Sequence, residues 1–210
     1  MKPTTTILLE TNRDELWHFA LTDAAIPVGQ AMLFLGNPKS GQGMAWPRGE
    51  LLQPDNWLSE QDAKRANKRR QAYRVSLRSS LSNAGFAAVA RHELEHHRQY
   101  DTWGTNALQI LHERALASMA KANGLVGGGR LYNRIPMEVD ANAAGARFLR
   151  PLASASELRR LALDDASLQY FLKWDTPEPG TLIERMEHFV DAVGPVLADE
   201  FVRASQDTQP

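Results

Sequence analysis

Residues 92–96 of this 210-residue chain read His-Glu-Leu-Glu-His, which matches the pattern H-E-x-x-H. On an α-helix, side chains at i and i+4 share one face, so both imidazoles can reach a single ion. Glu93 follows the first histidine, where its carboxylate can take a proton from a metal-bound water without binding the metal. The pattern therefore predicts a Zn²⁺ site with His92 and His96 as ligands and Glu93 as general base.

The histidine pair needs a third ligand from elsewhere, because a catalytic zinc usually has three protein ligands and one open position. The metzincin extension is absent, since Gln99 and Thr102 stand where that pattern has glycine and histidine. A version with an aspartate after a Gly-Thr pair also fails, because Gly104-Thr105 leads to Leu108. A third familiar version takes a glutamate on a later helix as the remaining ligand.

A glutamate at the start of a later helix meets this need. Pro136 favours a helix start, Glu138 lies in the first turn, and Asn142 follows one turn later on the same face. Glu138 can bind the metal while Asn142 hydrogen-bonds the remaining N–H of a ligand histidine. His112 and Glu113 remain alternative third ligands, although neither has a polar partner four residues on.

The two motifs together resemble those of the gluzincin metallopeptidases, which pair H-E-x-x-H with a later E-x-x-A-N/D. Residues 138–142 read Glu-Val-Asp-Ala-Asn. The nearest subtype is the compact cytoplasmic proteases of the ImmA/IrrE kind, whose second motif is often E-x-E-A-N. The resemblance covers residues 92–96 and 138–151, and the strand before the first motif extends it to about residue 73.

This resemblance implies a zinc-dependent peptidase acting on a peptide or protein. Glu93 would serve as base toward the water and then as acid toward the leaving amine. Tyr132 and Arg134 precede the Glu138 helix, and either could stabilise the oxyanion of a tetrahedral intermediate, with packing or surface roles as the alternative. The alternative function is a catalytically silent zincin that acts as a regulatory or binding module.

The elements around these motifs predict a compact α+β fold with a small N-terminal sheet and a mostly helical C-terminal half. The strand before the active-site helix, at 73–78, is expected to be an edge strand of this sheet. The apolar run 31–35 and the alternating segment 73–78 indicate strands, whereas the Gly- and Pro-rich segment 36–54 indicates a long loop. Helices are expected at about 60–72, 86–102, 106–122, 136–150, 155–163, 166–173 and 181–203. We expect one domain over residues 1–204 and a disordered tail at 205–210.

The strand at 73–78 has a second implied role. In folds of this kind, the strand before the zinc helix usually forms the edge of the active-site cleft, where an extended substrate can add by backbone hydrogen bonds. Arg74 or Arg78 would then face the substrate. The alternative is that these arginines only protect an exposed edge from aggregation.

Composition limits the remaining classes of function. The chain has six histidines and no cysteine, which excludes disulfide scaffolds, thiol nucleophiles and Cys-based zinc fingers. Its net charge is −1, and no segment approaches the ~20 apolar residues of a membrane span. No export signal is visible, so we expect a cytoplasmic protein without membrane contact.

One segment departs from this balanced charge. Residues 64–78, the basic run, contain seven Lys or Arg and no acidic residue. Such a run could bind a nucleic acid, which would make the chain a nucleic-acid-associated protease. A solvated helix face is the commoner meaning of such a pattern.

Overall fold

Both predicted strands are present, and a third strand joins them in one sheet. The computed structural model describes residues 11–38, 41–123, 132, 134–165, 168, 171–172 and 179–191, the side chains of 117–123 excepted. Strands β1 (Ala31–Gly36), β2 (Gly43–Trp46) and β3 (Tyr73–Arg78) make one sheet in the order β1-β3-β2. β3 runs parallel to β1 and antiparallel to β2. The segment 36–54, expected to be a loop, therefore contains a strand.

Helices account for most of the remaining described chain, which confirms the α+β class with a small sheet. They are α1 (Arg13–Asp23), α2 (Glu60–Lys68), α3 (Asn83–Trp103), α4 (Thr105–Asn123), α5 (Pro136–Leu149) and α6 (Ala155–Asp164), and residues 182–191 are also helical. Much of the predicted helix 166–173 and the tail 205–210 lie outside the described residues. No helix among the described residues is both long and apolar enough to cross a membrane.

The expectation that β3 forms an edge of the sheet is wrong, because β3 is the central strand. Its period-two pattern separates two faces that are both buried. Tyr73, Val75 and Leu77 pack into the main core, whereas Arg74 and Ser76 point to the opposite face and are fully buried there. A period-two pattern indicates on which face of the sheet each side chain lies, but it does not indicate whether the strand has one neighbouring strand or two.

Arg74 has a structural role, so the expectation that it faces substrate or protects an edge is wrong. Its guanidinium donates to the carbonyl oxygens of Glu50 at 2.8 Å and Pro47 at 2.5 Å. Burial lowers the pKa of Arg74, yet a guanidinium stays protonated in proteins. The side chain thus satisfies two acceptors in the segment that covers this face of the sheet.

We predict that Arg74→Met destabilises the fold by about 1–3 kcal/mol. Methionine preserves length and apolar contact but leaves the two carbonyls without their charged donor. Urea denaturation followed by circular dichroism measures the difference in the free energy of unfolding. Arg70→Met, at an exposed position of the same segment, should change stability by no more than about 0.5 kcal/mol. Equal effects of the two variants would contradict the prediction.

The basic run is largely engaged within the fold. Arg69, Arg74 and Arg78 donate to main-chain carbonyls of other segments. Lys64 and Arg65 pair with acidic residues of their own helix. These bonds engage five of the seven basic residues of the run, and binding of a nucleic acid stays a prediction.

The chain groups into two compact units. The first comprises Met1–Arg98 and Ala141–Thr176, and the second comprises Gln99–Asp140 and Pro177–Pro210. In the first unit, the sheet has a core on each face. One core includes Leu16, Leu21, Val75, Leu77, Phe86, Leu94 and Phe148, and the other includes Met32, Phe34, Leu52, Leu58 and Ala66. The single domain over residues 1–204 stays a prediction.

The second unit has its own small core, which includes Leu108, Leu111, Ile135, Met137, Leu182 and Met186. An ion pair joins two of its segments: Arg185 donates to both carboxylate oxygens of Asp140, at 3.0 and 2.5 Å. This forked geometry is the strong form of an Arg–carboxylate contact. It holds the helical segment 182–191 against the start of α5.

Candidate metal centre

Helix α3 positions the histidine pair. Its first turn is capped by Ser82, whose Oγ accepts a hydrogen bond from the N–H of Gly85 at 2.9 Å. Farther along, Nε2 of His97 lies 3.1 Å from the carbonyl oxygen of Arg74, and its ring contacts Tyr73 edge-on. These contacts secure α3 to β3 on the side next to the motif.

The opposite side of α3 is held by ion pairs. Arg91 donates to Asp23 of α1 at 2.6 Å and to Glu95 at 2.8 Å. Arg98 adds a second contact to Glu95 at 3.0 Å. The second glutamate of the motif is therefore engaged in ion pairs with Arg91 and Arg98, which leaves Glu93 as the glutamate beside the histidines.

His92 and His96 bring their ring nitrogens together. Both side chains are largely buried, and their Nε2 atoms lie 3.1 Å apart. A tetrahedral zinc with bonds of about 2.0–2.1 Å separates two ligand atoms by about 3.3–3.4 Å. The observed spacing fits a pair that shares one ion.

Glu138 stands in the first turn of α5, as the sequence predicts, and is almost fully buried. The hydroxyl of Tyr132 donates to its Oε1 at 2.8 Å. The side-chain amide of Gln99 donates to the carbonyl oxygen of Met137 at 2.9 Å. These two bonds fix both the carboxylate and the main chain beside it.

The three predicted ligands form one group. One ligand atom from each of His92, His96 and Glu138 lies within 4.8 Å of the other two. Two imidazoles and a carboxylate, all largely buried, are a donor set that could hold a divalent metal ion. The group includes neither His112 nor Glu113, the alternative third ligands.

Glu93 lies beside this group. It is 6% exposed, and its Oε1 is 3.9 Å from Nε2 of His92. That distance is too long for a hydrogen bond, but it places a carboxylate next to a ligand nitrogen. The carboxylate of Glu93 thus lies next to the three possible ligands without belonging to their group.

The remaining predicted residues occupy different environments. Asn142 is buried one turn beyond Glu138 on α5, and its proposed bond to a ligand histidine stays a prediction. The hydroxyl of Tyr132 is bonded to Glu138 and orients that carboxylate. Arg134 is exposed.

One residue of the site was missed by sequence reasoning. Gly43 of β2 packs directly against Glu93. The available signal was a glycine at the start of a short apolar segment, since a glycine in a strand often marks the close approach of another group.

We predict that Tyr132→Phe weakens metal binding by about 10–100-fold, because loss of a partner that orients a ligand typically has this effect. Competition with a chromogenic chelator measures the affinity. Tyr100→Phe, a tyrosine-to-phenylalanine change in the same unit, serves as the control and should keep the affinity within about two-fold. Equal affinity of Tyr132→Phe and the unmodified chain would contradict the prediction.

We compared the chain with protein-family models, curated proteins and solved structures, and none of the three comparisons gave a match.

Proposed function

We propose that this chain is a zinc-dependent metallopeptidase in which His92, His96 and Glu138 hold the metal. The observation that supports it most is the convergence of these three ligand atoms within 4.8 Å. The carboxylate of Glu93 lies beside them without belonging to the group. A metal site that served only to stabilise the fold would not need this additional carboxylate, because structural zinc is usually enclosed by four protein ligands.

Zinc, when bound, polarises a substrate carbonyl and makes a bound water more acidic. Glu93 takes a proton from the attacking water while the oxygen of that water bonds to the carbonyl carbon of the peptide. Glu93 then transfers that proton to the amide nitrogen as the C–N bond breaks, so the carboxylate is regenerated. Its burial keeps bulk water from competing for the proton. Tyr132 keeps the Glu138 carboxylate oriented throughout.

The strand to which a peptide substrate could add is β2, at the edge of the sheet. The N–H of Arg78 donates to the carbonyl oxygen of Gln42 at 2.9 Å, which sets the register between β3 and β2. In this register, Gly43 and Ala45 direct their main-chain groups away from β3. Within the described part of the chain β2 pairs with β3 alone, so an extended peptide could add along its other side.

The test is metal analysis combined with a cleavage assay on the full-length chain. We expect zinc in protein purified without added metal, and cleavage of an unfolded protein such as reduced casein. A chelator should abolish cleavage, and added Zn²⁺ should restore it. Failure to bind zinc on reconstitution would overturn the proposal. Full zinc occupancy without cleavage of any substrate would instead favour the catalytically silent alternative.

A further inference from the structure

The first residue of β2 lies directly against the helix that carries the two histidines. A β-carbon on Gly43 would overlap Oε1 of Glu93. It would also lie 2.7 Å from Cγ of Glu93 and 2.7 Å from Cγ1 of Val89. Real β-carbons essentially never come within 3.0 Å of another heavy atom. The main chain of β2 therefore contacts Glu93 across a space that only glycine leaves open.

The requirement for glycine at position 43 concerns space. Gly43 does not belong to the glycines with positive φ, such as Gly41 and Gly49, so its backbone conformation suits other residues. Val89 and Glu93 are one turn apart on α3 and present their side chains on the same face. A change of rotamer in Glu93 alone would leave the contact with Val89 in place. A larger residue at 43 would therefore displace the strand, the carboxylate or both.

We propose that Gly43 is a positioning residue for Glu93, confining its carboxylate beside Nε2 of His92. This confinement matters because a general base must come within about 2.6–3.2 Å of the proton that it takes. A misplacement of about 1 Å can reduce a rate by roughly 100-fold. The catalytic consequence rests on the proposed peptidase function, whereas the contact between Gly43 and Glu93 can be tested without it.

A double-mutant cycle tests the contact in the full-length chain. Gly43→Ala should lower Tm by roughly 3–10 °C, as overpacking does in a protein of this size. In a Glu93→Ala background, where Cγ and Oε1 are gone and only the contact with Val89 remains, the same substitution should lower Tm by a clearly smaller amount. If Gly43→Ala does not fold, recovery of folding in the double variant supports the proposal. Equal shifts in both backgrounds, or loss of folding in both, would overturn it.

Gly36→Ala is the matched control. Its β-carbon would lie 2.7 Å from the carbonyl oxygen of Trp57, a comparable clash in the same sheet that does not involve Glu93. We expect Gly36→Ala to lower Tm without any coupling to Glu93→Ala. Coupling of equal size at both glycines would mean a general effect of sheet distortion and would overturn the proposal.

Kinetics test the catalytic consequence. Gly43→Ala should lower kcat by roughly 10–100-fold while KM and zinc affinity stay within about two-fold of the unmodified chain. Gly36→Ala should keep kcat within about two-fold. Unchanged kcat in Gly43→Ala would overturn the positioning role. Absence of cleavage by the unmodified chain would instead refute the proposed function, and the Tm cycle would still decide the contact.

Discussion

Replacing Glu93 with glutamine is expected to abolish peptide hydrolysis while the metal stays bound. Glutamine has nearly the same shape, but its neutral amide cannot accept the proton of the attacking water. General acid–base groups typically contribute 10²–10⁴-fold, so kcat should fall by about that factor. The three ligands, His92, His96 and Glu138, are untouched. Turnover of a fluorogenic peptide and elemental analysis of the same sample measure the two properties.

Glu95→Gln is the matched control for this variant. Glu95 lies two residues farther along α3, where it pairs with Arg91 and Arg98 and does not belong to the metal-ligand group. We expect its kcat to stay within about two-fold. Full activity of Glu93→Gln would remove Glu93 from its role as base. Loss of zinc from Glu93→Gln would mean that this carboxylate contributes to binding the metal.

Replacing His96 with alanine is expected to abolish stable zinc binding. Loss of a group that only orients a ligand already lowers metal affinity by about 10–100-fold, so removal of the ligand itself should exceed that effect. In the unmodified chain, zinc at 100 times its Kd should add about 2.7 kcal/mol to the free energy of unfolding. That corresponds to a rise in Tm of roughly 5–11 °C. His96→Ala should show no such rise in a thermal scan with added zinc.

His18→Ala controls for the loss of a histidine in general. His18 is exposed on α1 and is not part of the metal-ligand group. This variant should keep the full zinc-dependent rise in Tm. A rise of the same size in His96→Ala would show that zinc binds elsewhere, and the proposed ligand set would then be wrong.

The local part of the site could be predicted from the sequence. The position of a side chain around the axis of an α-helix depends only on the helical repeat. Residues four apart therefore share a face in any fold that keeps the helix. His92 and His96 are therefore predictable as a pair, and their Nε2 atoms do lie 3.1 Å apart. Glu138 was the preferred third ligand from the sequence, but His112 and Glu113 stayed open as alternatives, because ligand chemistry alone does not say which side chain reaches the histidine pair.

The sheet shows what local patterns leave undetermined. The alternation in β3 predicted a strand, but the same pattern arises at an edge or in the centre, because pairing depends on distant segments. β2 was missed since it is only four residues long and lies in a Gly- and Pro-rich segment. The buried role of Arg74 depends on carbonyls at positions 47 and 50, whose location no spacing reveals.

The sequence by itself therefore determined the fold class and the histidine pair, since these follow from the periodicity of the elements, whereas the structure decided which of the candidate ligands lies beside the pair. Only the tertiary structure decided which strand lies at the edge of the sheet, which arginines are buried, and that Gly43 borders Glu93. The physical reason is the range of the interactions. Helical periodicity acts over a few residues, whereas strand order and the contact between Gly43 and Glu93 join segments far apart in the chain.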